Sequence, residues 1–379
     1  MVLLPVFCLS CTAVPTMPDL AAGLRPVSDS DEAGLWMQME RVEAEFHGSG
    51  RIVKDRPLGA YVRQIICRLA SQHCAGIRVD IVEVPDFNAA MAPNGWLQVW
   101  TGLLLRVENE AQLAYVLGHE LAHYLRRHSL QRWRNARSAT DLATFTQTFM
   151  IGAGRNDAAA QTSQALWLSL YAFSQDNELE ADALGLDLMA NAGYDPAEAA
   201  SVWEALIEEH RAAQPDAVLP FALTHPSTKE RIRHLREVAA ARTGSPRSVD
   251  RGAERLARAI ASFRMQWLRD EFSRRDYGRL FVLLNRLARS SERLGEISFY
   301  QGELYRLRES SGDEQRAINA YRQALDLPGS PPEAMRALGL LYWKTGDKLG
   351  ARDLLTRYLK TYPGADDREM IRSYLHQLE

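Results

Sequence analysis

The sequence lacks long apolar stretches and has little net charge and little lysine. No window approaches the roughly 18 apolar residues that a membrane-spanning helix needs, so we expect no transmembrane span. The formal net charge of −3 at pH 7 argues against a nucleic-acid partner. Only five of the 45 basic residues are lysine, which we attribute to genome base composition. With 379 residues, 46% hydrophobic and 25% charged, the composition is that of a globular chain of two or three domains.

The most informative motif is H-E-x-x-H, formed by His119, Glu120 and His123 in an apolar helical pattern. Histidines four residues apart lie on one helix face, one turn apart, so both imidazoles can bind one zinc ion. Glu120 lies beside them, where a general base that deprotonates water is needed. The apolar residues Leu117 and Leu121 share this helical spacing and argue against a chance match.

A second acidic segment offers the third protein ligand that two histidines leave missing. Glu178 and Asp182 are four residues apart, so they share a helix face. Glu178 can bind the metal, while Asp182 can accept the free N–H of a ligand histidine. Glu180 points away from Glu178 and is the weaker ligand candidate. Alone, such a segment is more often a solvated acidic helix face, but its pairing with H-E-x-x-H favours a metal site.

These motifs resemble those of the zinc metallopeptidases of the CAAX-prenyl-protease and HtpX group. Residues 88–104 resemble that family's N-A-F-A-x-P-G-G strand and G-L-L turn, and residues 224–232 resemble its T-H-P…R-I segment. The four motifs follow the family's order across about residues 80–235. Because no transmembrane span is predicted and the C-terminus contains repeats, the chain is similar to the soluble, exported BepA-like branch.

The resemblance implies a zinc endopeptidase with one Zn²⁺ per chain, in a mostly helical, zincin-type α+β domain with a small sheet. His225 lies in the T-H-P segment, and two roles are open for it. It can stabilise the oxyanion, or it can occupy the fourth zinc position at rest. Arg231 is expected to be a structural ion-pair partner. The implied substrates are misfolded or misassembled cell-envelope proteins in the periplasm.

The resemblance also suggests where a substrate binds, since the strand nearest the zinc in such folds can pair with an extended peptide. We expect Asn88, Ala89, Ala90 and Met91 to provide this edge, with an ordinary buried strand end as the alternative. Ala90 and Met91 depart from the family pattern, which leaves the detail of substrate contact open. Asn94 replaces a glycine, and because asparagine tolerates positive φ, we expect the turn to survive.

The N-terminal region and the cysteines indicate the cellular compartment in which the protein is expected. Residues 1–15 predict a short export signal, although the usual preceding positive charges are missing. A lipid anchor on Cys11 at the outer membrane is the lesser alternative. Cys67 and Cys74 are predicted to form a disulfide in an oxidising compartment, with two buried free thiols as the alternative.

The remaining patterns predict the order of elements and domains. Helices are expected at 32–46, 57–72, 108–127 and 197–212, and strands at 77–84 and 96–99. Residues 129–175 predict two helices joined by a flexible loop, either a lid or a packed hairpin. With a linker at 243–248, the chain divides into an export signal (1–15), a zinc metallopeptidase domain (30–241) and an all-α repeat domain (250–379).

The C-terminal region repeats at tetratricopeptide spacing. One copy comprises Leu338, Gly339, Tyr342, Gly346, Asp347, Ala351, Leu355, Tyr358 and Pro363; an earlier copy comprises Gly302, Tyr305, Gly312, Asp313, Ala317, Tyr321, Ala324 and Pro328. The earlier copy has three extra residues before its Gly-Asp turn. Such helix pairs form a concave protein-binding surface, so we expect outer-membrane assembly or other envelope proteins as partners.

Two functions remain for comparison with the structure. The first is a zinc endopeptidase that acts on protein substrates. The alternative is a chaperone-like binding protein that docks an outer-membrane assembly machine through its repeats and keeps a closed zinc site. The presence of Glu120 favours the enzyme, because a structural zinc ion needs no general base.

Overall fold

The computed structural model describes residues 25–138, 173–213, 225, 229–242, 250–290 and 293–378. Its first part contains helices α1 (Asp31–His47), α2 (Arg56–Leu69), α3 (Thr101–Arg106), α4 (Glu110–Leu125), α5 (His128–Ser138), α6 (Gln175–Asn191), α7 (Glu198–Ala212) and α8 (Lys229–Arg242). Its second part contains α9 (Ala253–Ile260), α10 (Arg264–Ser273), α11 (Tyr277–Ser290), α12 (Leu294–Arg308), α13 (Asp313–Asp326), α14 (Glu333–Thr345), α15 (Lys348–Thr361) and α16 (Arg368–His376). No helix in these ranges is long and apolar enough to cross a bilayer.

A three-stranded sheet packs against the first group of helices, which confirms the predicted α+β class. The strands are β1 (Arg78–Val82), β2 (Ala89–Met91) and β3 (Trp96–Trp100), in the order β1-β3-β2. The central strand β3 pairs in parallel with β1 and antiparallel with β2. The short strand β2 is therefore an edge of this sheet, and it packs on α4.

The two turns that flank β3 differ from the prediction in detail. The turn before β3 is present, but Gly95 rather than Asn94 takes the positive φ, 81°. The predicted G-L-L turn after β3 is wrong, because Thr101–Arg106 form the short helix α3. Its second residue is Gly102, where a Cβ atom would lie 2.2 Å from the Pro85 carbonyl oxygen, so only glycine lets the helix start this close to the neighbouring loop.

Two glycines let the helices α4 and α6 approach closely. A Cβ atom on Gly185 would lie 2.9 Å from the backbone nitrogen of His119, and one on Gly118 would lie 3.1 Å from the Gly185 carbonyl oxygen. The contact is backbone against backbone, so no side chain can rotate away to make room. This approach sets the spacing between the helix of the H-E-x-x-H motif and the helix that carries Glu178.

We expect Gly185→Ala to lower the free energy of unfolding by about 1–3 kcal/mol, because an added methyl group overpacks this contact. Urea denaturation should measure the change. Gly59→Ala is the matched control, since a Cβ atom there meets nothing within 4 Å and replacing glycine in a helix by alanine is ordinarily stabilising. Equal stability of Gly185→Ala and the wild type would contradict this account of the helix spacing.

The cysteine pair behaves as predicted. Cys67, on α2, and Cys74, in the following turn, form a disulfide with a Cα–Cα distance of 4.8 Å. Its short loop closes the end of α2 immediately before β1. Such a bond is typical of proteins in an oxidising environment.

The C-terminal helices form pairs, as the repeat pattern predicts. The helices α12 and α13 pack together, as do α14 and α15. Each repeat has a glycine on its first helix that packs against a side chain of the second helix. Gly302 lies against the Tyr321 ring, and Gly339 lies against Leu355. Both contacts are closer than a Cβ atom would allow, which explains the glycine at this point of both repeats.

A buried ionic cluster joins the first group of helices to α10 and α11. The carboxylate of Glu209 on α7 accepts hydrogen bonds from Arg106 on α3 and from Arg279 and Arg286 on α11. Arg106 also donates to Glu271 on α10 at 2.6 Å. Burial raises the pKa of Glu209, but the three arginines outweigh this effect and lower it to about 2, so the carboxylate is ionised. The segments before and after residues 243–249 therefore share buried charges.

Several predictions fall outside the described residues. These are the export signal at 1–15, Cys11, most of the predicted helices and loop at 129–175, and the linker at 243–248. The division into a peptidase domain and a repeat domain stays a prediction.

Candidate metal centre

The helix α4 presents the H-E-x-x-H residues from a buried position. Its N-terminus is capped by Asn109, whose side chain accepts a hydrogen bond from the backbone of Gln112. The helix lies between α6, α7 and the sheet, so it is buried along nearly its whole length. His119, Glu120 and His123 are all at most 2% exposed. A buried motif at this spacing lies where water can be excluded from the chemistry.

The helix α6 presents the acidic residues from the opposite side. Ser174 caps its N-terminus by accepting a hydrogen bond from Asn177. Glu178 and Asp182 both face α4, as their spacing predicts, and are at most 1% exposed. The carboxylate of Glu180 points outward, where it lies 3.0 Å from Arg126 Nε.

Four side chains converge at one point between α4 and α6. Ligand atoms of His119, His123, Glu178 and His225 all lie within 4.8 Å of one another. The Nε2 atom of His119 is 3.1 Å from Nε2 of His123 and 3.2 Å from Nδ1 of His225. The Oε1 atom of Glu178 is 3.4 Å from Nε2 of His123 and 2.9 Å from Nδ1 of His225.

This spacing fits a zinc ion. With metal–ligand bonds of about 2.0–2.1 Å, the ligand atoms of a tetrahedral zinc site lie roughly 3.3 Å apart. The observed separations fall around that value, and three imidazoles with one carboxylate are ligands that zinc prefers. A neutral imidazole has only one N–H donor, so three imidazoles this close together would leave some ring nitrogens facing each other without a proton between them. A bound cation would accept those lone pairs.

Glu120 lies beside the four ligands. Its Oε1 atom is 3.5 Å from Nε2 of His225, and neither of its oxygens receives a well-formed hydrogen bond within the described ranges. Burial raises the pKa of Glu120, and the neighbouring imidazoles of His225 and His119 only partly oppose this rise. A buried carboxylate with unused acceptor atoms and a raised pKa is suited to exchanging a proton with a ligand.

Asp182 lies beside His119, the residue whose N–H it is predicted to accept. Its Oδ1 atom lies 3.0 Å from Nδ1 of His119 and accepts a hydrogen bond from Tyr115 at 2.8 Å. The Trp203 indole donates in turn to the Tyr115 oxygen. Burial raises the pKa of Asp182, but hydrogen bonds from His119 and Arg231 outweigh it and lower the pKa to about 2. An ionised Asp182 favours the His119 tautomer that leaves Nε2 available for a metal.

Arg231 does more than the expected structural ion pair. Its guanidinium donates two hydrogen bonds to Asp182, at 2.8 and 2.7 Å, and its Nη1 atom lies 2.6 Å from Oε2 of Glu178. One arginine therefore orients the carboxylates of both Glu178 and Asp182. Burial raises the pKa of Glu178, but the imidazoles of His225, His123 and His119 outweigh this effect and hold the pKa well below its ordinary value.

The predicted substrate strand lies next to this centre. Ala89, Ala90 and Met91 form β2, and Asn88 precedes it. The strand packs on α4, the helix that carries Glu120. The Oδ1 atom of Asn88 is buried and meets no hydrogen-bond donor within the described ranges.

Sequence reasoning missed His128 and Phe173. The helix predicted at 108–127 ends at Leu125, and Arg127 then takes a left-handed conformation, with φ of 59°. This turn directs the fully buried His128 back towards His123. The Phe173 ring stacks on His123, with centroids 3.9 Å apart. The left-handed turn leaves little trace in the sequence, since arginine has no preference for it.

Comparisons with known proteins agree with this geometry. Residues 54–239 match the sequence model of peptidase family M48, and residues 333–365 match a tetratricopeptide repeat. The first match contains all four converging side chains, and the second contains the later of the two predicted repeats.

Three relatives are informative. The mitochondrial metalloendopeptidase OMA1 of Schizosaccharomyces pombe is 32% identical over 196 residues, which are 50% of this chain and 56% of the relative. The OMA1 enzyme of Arabidopsis thaliana is 35% identical over 190 residues, 46% of this chain and 37% of the relative. The beta-barrel assembly-enhancing protease of Escherichia coli is 24% identical over 252 residues, 62% of this chain and 49% of the relative. The chain thus spans about half the length of these relatives or less.

The match, the repeat and the converging ligands lead to one assignment. Residues 54–239 are a domain of peptidase family M48, whose members are zinc metallopeptidases, and a tetratricopeptide repeat follows it towards the C-terminus.

Proposed function

We propose that this chain is a zinc-dependent endopeptidase that holds one Zn²⁺ ion with His119, His123 and Glu178. One observation supports the proposal above all. Three ligand atoms from two helices converge beside a buried carboxylate, Glu120, that has no well-formed hydrogen bond of its own within the described ranges. A purely structural zinc site has no need of such a group.

The protein groups around the metal have distinct roles. When bound, zinc supplies a Lewis acid that polarises the scissile carbonyl and makes water a better nucleophile at neutral pH. Glu120 accepts a proton from the attacking water at its carboxylate and then donates it to the leaving amine nitrogen. Asp182 fixes the tautomer of His119, and Arg231 holds Asp182 and Glu178 in place.

His225 occupies the fourth corner of the ligand cluster in this structure. Its Nδ1 atom lies 3.2 Å from Nε2 of His119 and 2.9 Å from Oε1 of Glu178, which favours the second of its two predicted roles. We propose that His225 completes the metal coordination at rest and moves aside when a substrate binds. A catalytic zinc site needs an open position, so the four-ligand arrangement is inactive.

Under this proposal, His225→Ala raises the basal rate of peptide hydrolysis several-fold, because the fourth position stays open. If His225 instead stabilises the oxyanion, the same change lowers kcat by about a hundredfold. Steady-state cleavage of an unstructured fluorogenic peptide distinguishes the two outcomes by the sign of the effect. Zinc content of each protein should be measured alongside, with His234→Ala as a control for loss of a histidine on α8.

We propose that the substrate chain pairs with β2 in an extended conformation. The strand lies at a sheet edge and packs on α4, the helix that carries Glu120, and the side-chain oxygen Oδ1 of Asn88 could accept a hydrogen bond from a substrate N–H. Ala90 and Met91 are buried, so the backbone rather than their side chains would contact the substrate. Such pairing requires a substrate segment whose backbone N–H and C=O groups are exposed, and folded proteins rarely have such segments.

The proposed substrates are therefore misfolded or misassembled envelope proteins in the periplasm. The disulfide supports an oxidising compartment, and the relative from E. coli is named a beta-barrel assembly-enhancing protease. We propose that the tetratricopeptide helices bind an outer-membrane assembly partner through their concave surface. The mitochondrial relatives show that the same peptidase domain occurs in another compartment.

The test is to incubate the purified chain with a denatured outer-membrane β-barrel protein and with the same protein folded in detergent. We expect cleavage of the denatured form alone, abolished by a zinc chelator.

The alternative, a chaperone-like protein with a closed zinc site, is favoured by the four-ligand cluster. It predicts that the denatured protein is bound and kept soluble but stays intact, both with wild type and with His225→Ala.

A further inference from the structure

The second nitrogen of His123 has an unusual partner. Its Nδ1 atom forms a hydrogen bond of 2.8 Å with Nδ1 of His128, and Nε2 of His128 lies 3.2 Å from Oε2 of Glu180. His128 is 0% exposed, whereas the Glu180 side chain is 46% exposed and also lies 3.0 Å from Arg126. A chain of imidazole, imidazole and carboxylate thus connects a proposed metal ligand to the protein surface.

The direction of these hydrogen bonds follows from the carboxylate. The half-exposed Glu180 beside Arg126 is an acceptor only, so Nε2 of His128 must carry the proton of that bond. In a neutral imidazole the other nitrogen, Nδ1 of His128, is then an acceptor. It can accept only from an N–H at Nδ1 of His123. That tautomer leaves the lone pair of His123 on Nε2, the atom that faces Glu178 at 3.4 Å.

We propose that His128 is a positioning residue for the metal ligand His123, and that Glu180 sets its polarity. The proposal rests on the zinc site proposed above. His128 selects the tautomer of His123, as Asp182 does for His119, but it does so with a neutral ring instead of a charge. The Phe173 ring stacks on His123 at an interplanar angle of 15° and holds the plane of the imidazole, while His128 fixes which nitrogen faces the metal.

This arrangement gives Glu180 a function although it is not a ligand. The sequence places Glu178 and Glu180 in one acidic segment, and helix geometry sends them to opposite sides. Glu178 faces the cluster directly. Glu180 acts on the same cluster from outside, through two imidazole rings.

The test measures the zinc affinity of the full chain by competition with a chromogenic chelator. His128→Phe keeps a buried ring but removes the acceptor, so we expect zinc affinity to fall by about 10–100-fold, the usual cost of losing such a partner. His128→Asn places its carbonyl oxygen near the position of Nδ1 and should restore affinity to within a few-fold of wild type. His128→Gln places its carbonyl farther along the side chain and should not. Glu180→Ala should lower affinity less than His128→Phe does.

Two controls separate the possible outcomes. His73→Phe removes another buried imidazole, away from the cluster, and should leave zinc affinity unchanged. Thermal unfolding of the metal-free proteins reports any general loss of stability. Equal zinc affinity of wild type and His128→Phe, or equal losses in His128→Phe and His128→Asn, would overturn the positioning role. If wild type itself binds no zinc, the proposed metal site fails, which is a different result.

Discussion

Glu120→Gln lowers the rate of peptide-bond hydrolysis by at least about a hundredfold while the zinc content stays at the wild-type level. Glutamine has nearly the shape of glutamate but cannot take a proton from water, and loss of a general base usually costs about 10²–10⁴ in rate. Glu120 lies beside the ligands, and the substitution removes no well-formed hydrogen bond in the described ranges. The loss should appear in kcat more than in KM.

The matched control for this prediction is Glu204→Gln, which makes the same chemical change on the exposed surface of α7, away from the centre. Both variants should bind zinc and unfold at about the wild-type temperature. Full activity of Glu120→Gln would remove Glu120 from the mechanism, and zinc loss in this variant would mean that it serves as a ligand.

Glu178→Ala has the second large effect, which is loss of zinc from the protein. Its carboxylate is the one ligand supplied by α6, and Arg231 lies 2.6 Å from it in the described structure. Removal of a ligand should cost more than the 10–100-fold that removal of an outer partner costs. It also leaves Arg231 with one buried carboxylate instead of two. Activity should fall with the metal.

Glu180→Ala is the comparison for Glu178→Ala, because the two glutamates are two residues apart on one helix. It should keep most of its zinc after dialysis, since Glu180 acts only through His128. Atomic absorption after exhaustive dialysis measures both proteins. Zinc loss in Glu180→Ala with retention in Glu178→Ala would show that the wrong carboxylate has been assigned to the metal.

The parts of the site that follow helix periodicity could be predicted from the sequence. Residues four apart must share a helix face, so the pairing of His119 with His123 and of Glu178 with Asp182 required no tertiary information. The predicted strands and the helix pairs of the repeats are likewise local patterns, and the structure contains them. Whether His225 binds the metal or stabilises the oxyanion depends on its distance from the other ligand atoms, and spacing in the sequence does not give that distance.

The parts that depend on tertiary contacts could not be predicted. His128 reaches His123 only because Arg127 adopts a left-handed conformation. The close approach of α4 and α6 depends on Gly118 and Gly185, which look like unremarkable glycines within two helical patterns. Arg231, from a separate helix, contacts the carboxylates of both Glu178 and Asp182. Each of these contacts requires knowing how helices distant in sequence are packed.

The buried ionic cluster adds a physical link between the two predicted domains. Glu209 on α7 holds Arg279 and Arg286 of α11, while Trp203 on the same helix donates to Tyr115 beside Asp182. A chain cut at residue 241 would leave Glu209 without two of its three arginines. Since breaking a buried ion pair costs about 3–5 kcal/mol, we expect such a fragment to be less stable than the full chain.

The most direct test of zinc-dependent hydrolysis is a metal titration of the full chain. Zinc is removed with a chelator, the chelator is dialysed away, and zinc is added back in substoichiometric steps while cleavage of a denatured protein is followed. We predict no cleavage without metal, and activity that rises in proportion to bound zinc and levels off at one ion per chain. Cleavage by the metal-free protein, or one tightly bound zinc ion with no cleavage by either wild type or His225→Ala, would contradict the account.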